Sequence, residues 1–345
     1  MKLRRAVVGT LVAALLGAVS PRAARADTPP TSWDMAKDPA ARDRYQLHVL
    51  VRDLVSQDAH LQASRGFRLG TLDRARALLE DSGAATSPDV RLRFDLGEVY
   101  EALDRHDLAI AVLTSALKIA PTHPAAESAW VVLAYAYAKK DMPKEERDAY
   151  EKYLALTTDD RSRSTAILNL AEADMRLGHI DEAVAGYRDA VQVAAALPTG
   201  TSTAVETGKL AVWGLAVALD RQGDATGSAA QAKLAVQMDT GLVLISHGQN
   251  VFFVPPYERL WYIALGTTVE AKAATDPRKA LGYWQQVEEL WTSYVEQAER
   301  GDPKERWLPR ARAHRDQAHA ERVAAEKRAA KAPPPPKPER EPLVF

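Results

Sequence analysis

The chain has 345 residues, 26% of them charged and 46% hydrophobic, with a formal net charge of −1 and no cysteine. That balance fits a soluble protein. It lacks the broad basic field of a nucleic-acid binder. Without cysteine, disulfides, thiolate metal sites, cysteine nucleophiles and a lipid-modified N-terminal cysteine are all excluded.

The first 26 residues stand apart. Lys2, Arg4 and Arg5 precede a 14-residue apolar and small run, Ala6 to Val19, and Ala24-Arg25-Ala26 fits an A-x-A cleavage site. This is the form of a secretory signal peptide, and the run is shorter than the roughly 20 residues of a membrane span. The Arg4-Arg5 pair alone does not specify twin-arginine export, so the general secretory route is expected. Cleavage after Ala26 removes five positive charges and no acid, leaving −6. The expected location is the periplasm, or outside the cell.

Residues 27–41 are polar and proline-containing and read as a linker. From Arg42 to Ser64, Leu47, Leu50, Val51, Leu54 and Leu61 recur at helical spacing. Gly70, Ala75, Leu78 and Leu79 then mark a turn and a second helix, and together these segments read as a degenerate or capping pair. Ser87-Pro88 offers an N-cap and a first helical residue for the next helix.

Arg91 to Pro121 carries the clearest motif. Leu96-Gly97 is followed at three residues by Tyr100, then come Ala109, Leu113, Ala116 and Pro121. Small residues at Gly97, Ala109 and Ala116 let two antiparallel helices cross closely, Leu96, Tyr100 and Leu113 fill the gaps, and Pro121 ends the second helix. The pattern resembles the 34-residue tetratricopeptide repeat, W-x2-L-G-x2-Y, A-x3-F, P, with Arg93 in the Trp position and Leu113 in the Phe position. The next repeat carries Trp130-x2-Leu133-Ala134-x2-Tyr137, then Tyr150 and Tyr153, with Glu146 where a small residue belongs. A third carries Leu170-Ala171, Gly178, Ala183, Tyr187 and Ala190. Leu96, Leu133 and Leu170 are each 37 residues apart, a constant period that argues against chance.

After a loop at Leu197 to Gly208, a weaker fourth repeat contains Leu215-Ala216, Gly223, Ser228 and Ala235. Leu242 to Val254 contains two β-prone runs, LVLIS and VFFV, separated by HGQN, and predicts a β-hairpin. Helical pattern resumes over Glu258 to Ala273 and from Asp276-Pro277 to about Ala298, with Ala280, Trp284, Val287 and Trp291. Asp302-Pro303-Lys304-Glu305 resembles a capping box for a last helix reaching about Ala332. Four consecutive prolines then open an extended tail. The expected architecture is therefore all-α: a tetratricopeptide-type helical solenoid of about five helix pairs, with one β-hairpin insertion and a disordered Pro-rich tail. Its expected divisions are a signal peptide at 1–26, a linker at 27–41, the solenoid at 42–312, a charged helix at 313–331 and the tail at 332–345.

No catalytic motif is present. There is no G-x-G-x-x-G, Walker loop, H-E-x-x-H or G-x-S-x-G. His314 and His319 are five apart, which puts them on different helix faces, and read as surface residues. Glu127-Ser128 matches a dipeptide of lytic transglycosylases, but it opens a repeat helix, where an acid is favoured by the dipole. No enzyme activity, cofactor or metal is expected.

The tetratricopeptide resemblance implies a groove lined by positions 2, 5, 9, 12 and 13 of the first helices. These map to Arg91, Phe94, Glu98 and Glu101; to Tyr135 and Lys139; to Leu168, Glu172 and Arg176; and to Trp213, Asp220 and Arg221. Phe94, Tyr135 and Trp213 are expected to anchor a partner, with Glu98, Lys139, Glu172 and Arg176 as a polar rim. Tyr100, Trp130 and Tyr137 are assigned to packing. The Lys and Asn arrangement that clamps a C-terminal carboxylate in some such domains is missing. The layout is similar to tetratricopeptide proteins of the Gram-negative envelope. The expected function is a scaffold binding a protein or peptide there, with no nucleic acid and no membrane insertion after cleavage. Two other readings stay open: a component of peptidoglycan remodelling, and a structural subunit that self-associates.

Overall fold

A computed structural model describes residues 31–65, 70–197, 202–248, 251 and 253–333. The expected signal peptide, most of the proline tail and part of the expected hairpin lie outside these residues. The described chain is helical: α1 (Ser32–Lys37), α2 (Pro39–Arg65), α3 (Thr71–Asp81), α4 (Val90–Ala102), α5 (His106–Ile119), α6 (Ala126–Lys139), α7 (Pro143–Leu156), α8 (Asp160–Leu177), α9 (Ile180–Ala196), α10 (Ser202–Gln222), α11 (Ala225–Met238), α12 (Val243–His247), α13 (Glu258–Ala273), α14 (Pro277–Gly301) and α15 (Leu308–Ala330). Helix α1 and the start of α2 fall within the stretch whose composition suggested a linker.

Consecutive helices pack as pairs: α2 with α3, α4 with α5, α6 with α7, α8 with α9, α10 with α11, and α13 with α14, with α15 laid on α14. The expected five pairs are thus six with a terminal helix, because the degenerate N-terminal segments form a full pair. The sequence dictates the pairing at close crossings. A Cβ on Gly97 of α4 would lie 2.3 Å from Leu113 of α5, and one on Gly214 of α10 would lie 2.1 Å from the Tyr187 ring of α9. Acids open the helices: the Asp89 side chain accepts from Arg91 N at 3.2 Å, and Asp159, Asp224 and Asp276 cap α8, α11 and α14. Asp89, rather than Ser87, is therefore the cap of α4. The Ser87 hydroxyl instead accepts from Asp89 N.

No strand occurs among the described residues, so the β-hairpin expected at 242–254 is not formed where the chain is described. A 3-10 turn at Thr240–Leu242 leads into α12. The Asp239 carboxylate accepts from Leu244 N at 2.9 Å and Ile245 N at 3.4 Å, satisfying the first donors of that helix. Ile245 is fully buried, so tertiary packing and a cap override the β-preference of the run. The Asp302–Glu305 motif likewise shapes a turn: Asp302 accepts from Lys304 N and Glu305 from Trp307 N, and α15 begins only at Leu308.

The array also changes direction between α11 and α13. Upstream, first helices run parallel: Glu98 of α4 meets Ser128 of α6, and Thr165 of α8 meets Thr207 of α10. At α13 the contacts run the other way. Arg221 meets Glu258, Asp220 meets Trp261, and a Cβ on Gly266 would lie 2.8 Å from Trp213. Helix α13 is therefore antiparallel to α10. The C-terminal core is rich in large aromatics: Trp261 packs edge-to-face on Trp291 (5.0 Å) and Tyr294 (5.1 Å). The turn before α15 reaches back along the chain. Arg306 donates to Leu177 O at the end of α8 (2.5 Å), and Arg310 and His314 bind Asp220 of α10 at 2.7 and 2.8 Å. Gly178 has φ +81° at the end of α8, and a Cβ there would collide with Arg306.

Candidate partner-binding face

The first helices α4, α6, α8 and α10 bring a row of charged groups to one side of the array. Its three expected aromatic anchors do not belong to an open surface. Phe94 is 2% exposed and stacks on His123 (centroids 5.1 Å apart). Tyr135 is buried, with the Lys139 ammonium over its ring at 5.1 Å. Trp213 is fully buried and its indole N–H makes no hydrogen bond among the described residues. All three pack as core: the turn carrying His123 covers Phe94, helix α13 covers Trp213, and Tyr135 is buried in the apolar cluster with Val99 and Tyr100 of α4.

The polar members are distributed along the row. Arg91 is held by Asp89 (2.6 Å) with its guanidinium over Tyr45. Glu98 is buried, receives Arg52 at 2.5 Å and accepts the Ser128 hydroxyl. That contact gives the serine of Glu127-Ser128 a structural partner. Glu101 is 1% exposed and pairs with His106 at 2.9 Å. Burial raises its carboxyl against the pull of the imidazole. Burial also lowers the Lys139 ammonium, opposed by Asp104 and Glu101. On α2, His48 binds Asp95 at 2.6 Å, adding a contact outside the mapped positions.

Glu172 and Arg176 come together on α8 with groups from three other elements. Arg176 spans Glu146 of α7 and Asp141 of the preceding turn, each at 2.6 Å. Burial outweighs the Arg176 charge and lifts Glu146 to about 8. Glu172 is half-buried and accepts no hydrogen bond among the described residues. Burial lifts it to about 7, with Arg176 and Arg221 pulling down and Glu258 pushing up. Behind it, burial keeps the phenols of Tyr150, Tyr187 and Tyr262 protonated, and Asn169 donates to the Tyr150 hydroxyl at 2.9 Å. The mapped Leu168 is buried in the same core.

Next along the row, Arg221 is buried, salt-bridged to Glu258 at 2.5 Å and sandwiched by the rings of Trp261 (4.5 Å) and Trp307 (5.0 Å). Tyr294 donates to the other oxygen of Glu258 at 2.8 Å. Asp220 is buried, which works to raise its carboxyl, but hydrogen bonds from His314 and Arg310 hold it below the usual range. His314 is thus bound on two sides, by Asp220 and by the Trp291 face at 4.6 Å, and is not the free surface residue its spacing suggested. Sequence reasoning missed Glu258, Tyr294, Trp307 and Arg310 here. They lie 36–90 residues from their partners, and no local motif links them.

The arrangement around Glu172 sets the carboxylates of Glu146, Glu172, Glu258 and Asp141 against the guanidinium groups of Arg176 and Arg221. It offers an unshared acceptor to a hydrogen-bond donor or cation, and such a ligand would favour the charged forms of the raised Glu146 and Glu172 carboxyls.

A family model for the tetratricopeptide repeat matches residues 90–123, covering α4 and α5. Two solved structures are similar in course. One holds the nearly identical TPR-like repeats of a kinesin-light-chain-type protein from Podosopora anserina: 21% identity, 58% of this chain and 96% of that one, TM-score 0.43. The other is the apo form of the quorum sensor NprR from B. thuringiensis: 12% identity, 91% of this chain and 86% of that one, TM-score 0.44. No curated protein matches the chain in sequence. Over its described residues the chain is an all-helical, tetratricopeptide-like solenoid, and it carries a tetratricopeptide repeat at 90–123, a fold type that commonly presents extended surfaces to protein partners.

Proposed function

We propose that the chain is an exported, non-catalytic scaffold that binds a peptide segment of a protein partner in the Gram-negative cell envelope, across α8 and α10. The observation that carries this reading is Glu172, a half-buried carboxylate without a hydrogen-bond donor of its own, beside Arg176 and Arg221. Its oxygens are not sealed from solvent, so a donor from outside can reach them, and supplying one offsets the burial that disfavours its charge. A peptide offers amide N–H groups and cationic side chains for that role. The Lys2–Ala26 leader supports export.

Co-purification from envelope extract with mature wild-type chain, Glu172→Arg and a control Glu151→Arg on the exposed side of α7 tests it. The expected result is a captured protein lost by more than about tenfold with Glu172→Arg alone, at unchanged helical circular dichroism. Equal capture by Glu172→Arg and wild type moves binding off this face. N-terminal sequencing of exported protein should begin at Asp27, and a start at Met1 sinks the export reading.

A further inference from the structure

A second concavity lies between α11 and α15, floored by α13 and α14, and shares Asp220 and His314 with the end of the charged row. It encloses about 430 Å³, within the range of small-ligand pockets. Its floor is apolar: Leu265, Val269, Trp284 and Trp291. One wall is a slot of small residues on α11, where Ala225, Ala229 and Ala232 follow each other at helical spacing. On the same wall Ser228 is 3% exposed, and its hydroxyl makes no hydrogen bond among the described residues.

The ionisable groups of the lining decide what the concavity favours. They are Asp220, His314, Lys233 and Lys272. Asp220 is already spent on Trp261, Arg310 and His314. Lys233 and Lys272 are exposed, on α11 and α13, and neither makes an ion pair among the described residues. The lining therefore combines an apolar floor, one free hydroxyl and two unneutralised cations. A neutral apolar ligand would leave the lysines unused, and a cationic one would be repelled.

We propose that this concavity binds a small anionic amphiphile: an apolar chain over Trp284 and Trp291, with a carboxylate held by Lys233 and Lys272. Charged contacts at such a rim contribute modestly and set selectivity, whereas the buried chain supplies most of the affinity. The site shares Asp220 and His314 with the end of the partner-binding face, and its occupancy is tested without any partner.

Isothermal titration of the mature chain with dodecanoate, below its micellar concentration, is the direct test, with dodecanol as the uncharged comparison. Saturable one-to-one binding of dodecanoate is expected, with dodecanol about tenfold weaker or more. Lys233→Glu with Lys272→Glu should weaken dodecanoate by a similar factor and leave dodecanol unchanged. Ala229→Trp, at an exposed position that tolerates the larger side chain, should fill the slot and abolish both, with circular dichroism and melting unchanged. Absence of saturable dodecanoate binding overturns the site. So does undiminished binding to folded Ala229→Trp, which would place the amphiphile elsewhere. Equal affinity for dodecanoate in the double lysine variant overturns the anionic specificity.

Discussion

Glu172 is the residue whose chemistry is most exposed to test. Its folded-state carboxyl is lifted by burial to about 7, above the ordinary 4.5. The folded state therefore binds a proton more tightly than the unfolded chain. The stability this gives is complete below about pH 4.5 and is lost as pH rises through about 7. Glu172→Gln removes the charge that burial disfavours. It should raise the melting temperature by several degrees at pH 8, on the order of 2 kcal/mol, and change it little at pH 4.5. An equal effect at both values would show that the carboxylate is not ionising in a buried setting. Residue-scale legibility was uneven for a physical reason. A position code gives the helix side on which Glu172 and Arg176 lie, and the two do meet there. It does not give what covers that side. Phe94 and Trp213, both at position 5, and Tyr135, at position 9 like Glu172, are closed over by His123, by α13 and by the apolar cluster of α4 that holds Val99 and Tyr100.

Helix pairs are legible where a period repeats. The constant spacing of Leu96, Leu133 and Leu170 and the small residues at crossings placed α4 to α9 correctly in outline. The crossings also separate glycines of different kinds. Gly214 on α10 faces the Tyr187 ring, itself 2% exposed, whereas Gly282 on α14 would point a Cβ into open space. Gly214→Ala should cost about 1–3 kcal/mol through overpacking. Gly282→Ala should add about 0.5–1 kcal/mol by removing backbone freedom from the unfolded chain. Urea unfolding of both variants checks the contrast, and comparable midpoints would contradict the α9–α10 contact. Helix α12 was not legible, because VLIS carries a strand-like local preference. Two features turn it into a helix: Asp239, five residues upstream of Leu244, and the burial of Ile245. Neither is visible in a hydrophobic pattern.

At the scale of the molecule, the array departs from a stack of like units after α11. The reversal at α13 and the return of Arg306, Arg310 and His314 to α8 and α10 tie together segments 90 or more residues apart. Nothing in a 37-residue period announces this, since the partners Arg306, Arg310 and His314 lie outside the repeats. Arg310→Ala leaves Asp220 buried with one charged partner fewer and should lower stability by about 1.5–3 kcal/mol. Hydrogen exchange should show the loss at the C-terminal ends of α8 and α10 as well as in α15. Faster exchange confined to α15 would mean that the return contacts do not link these pairs.

Those return contacts also give the chain a direction under traction. In a stack whose units touch only their neighbours, each pair can peel away alone. From α2 to α7 the described contacts are of that kind. Between α8 and α15 the later residues bridge back, so the α8–α9 and α10–α11 pairs cannot leave without breaking bonds made by Arg306, Arg310 and His314. A chain pulled by its two ends would yield first near α2 and last around Asp220, where a partner held beside Glu172 would outlast the unravelling of the N-terminal half.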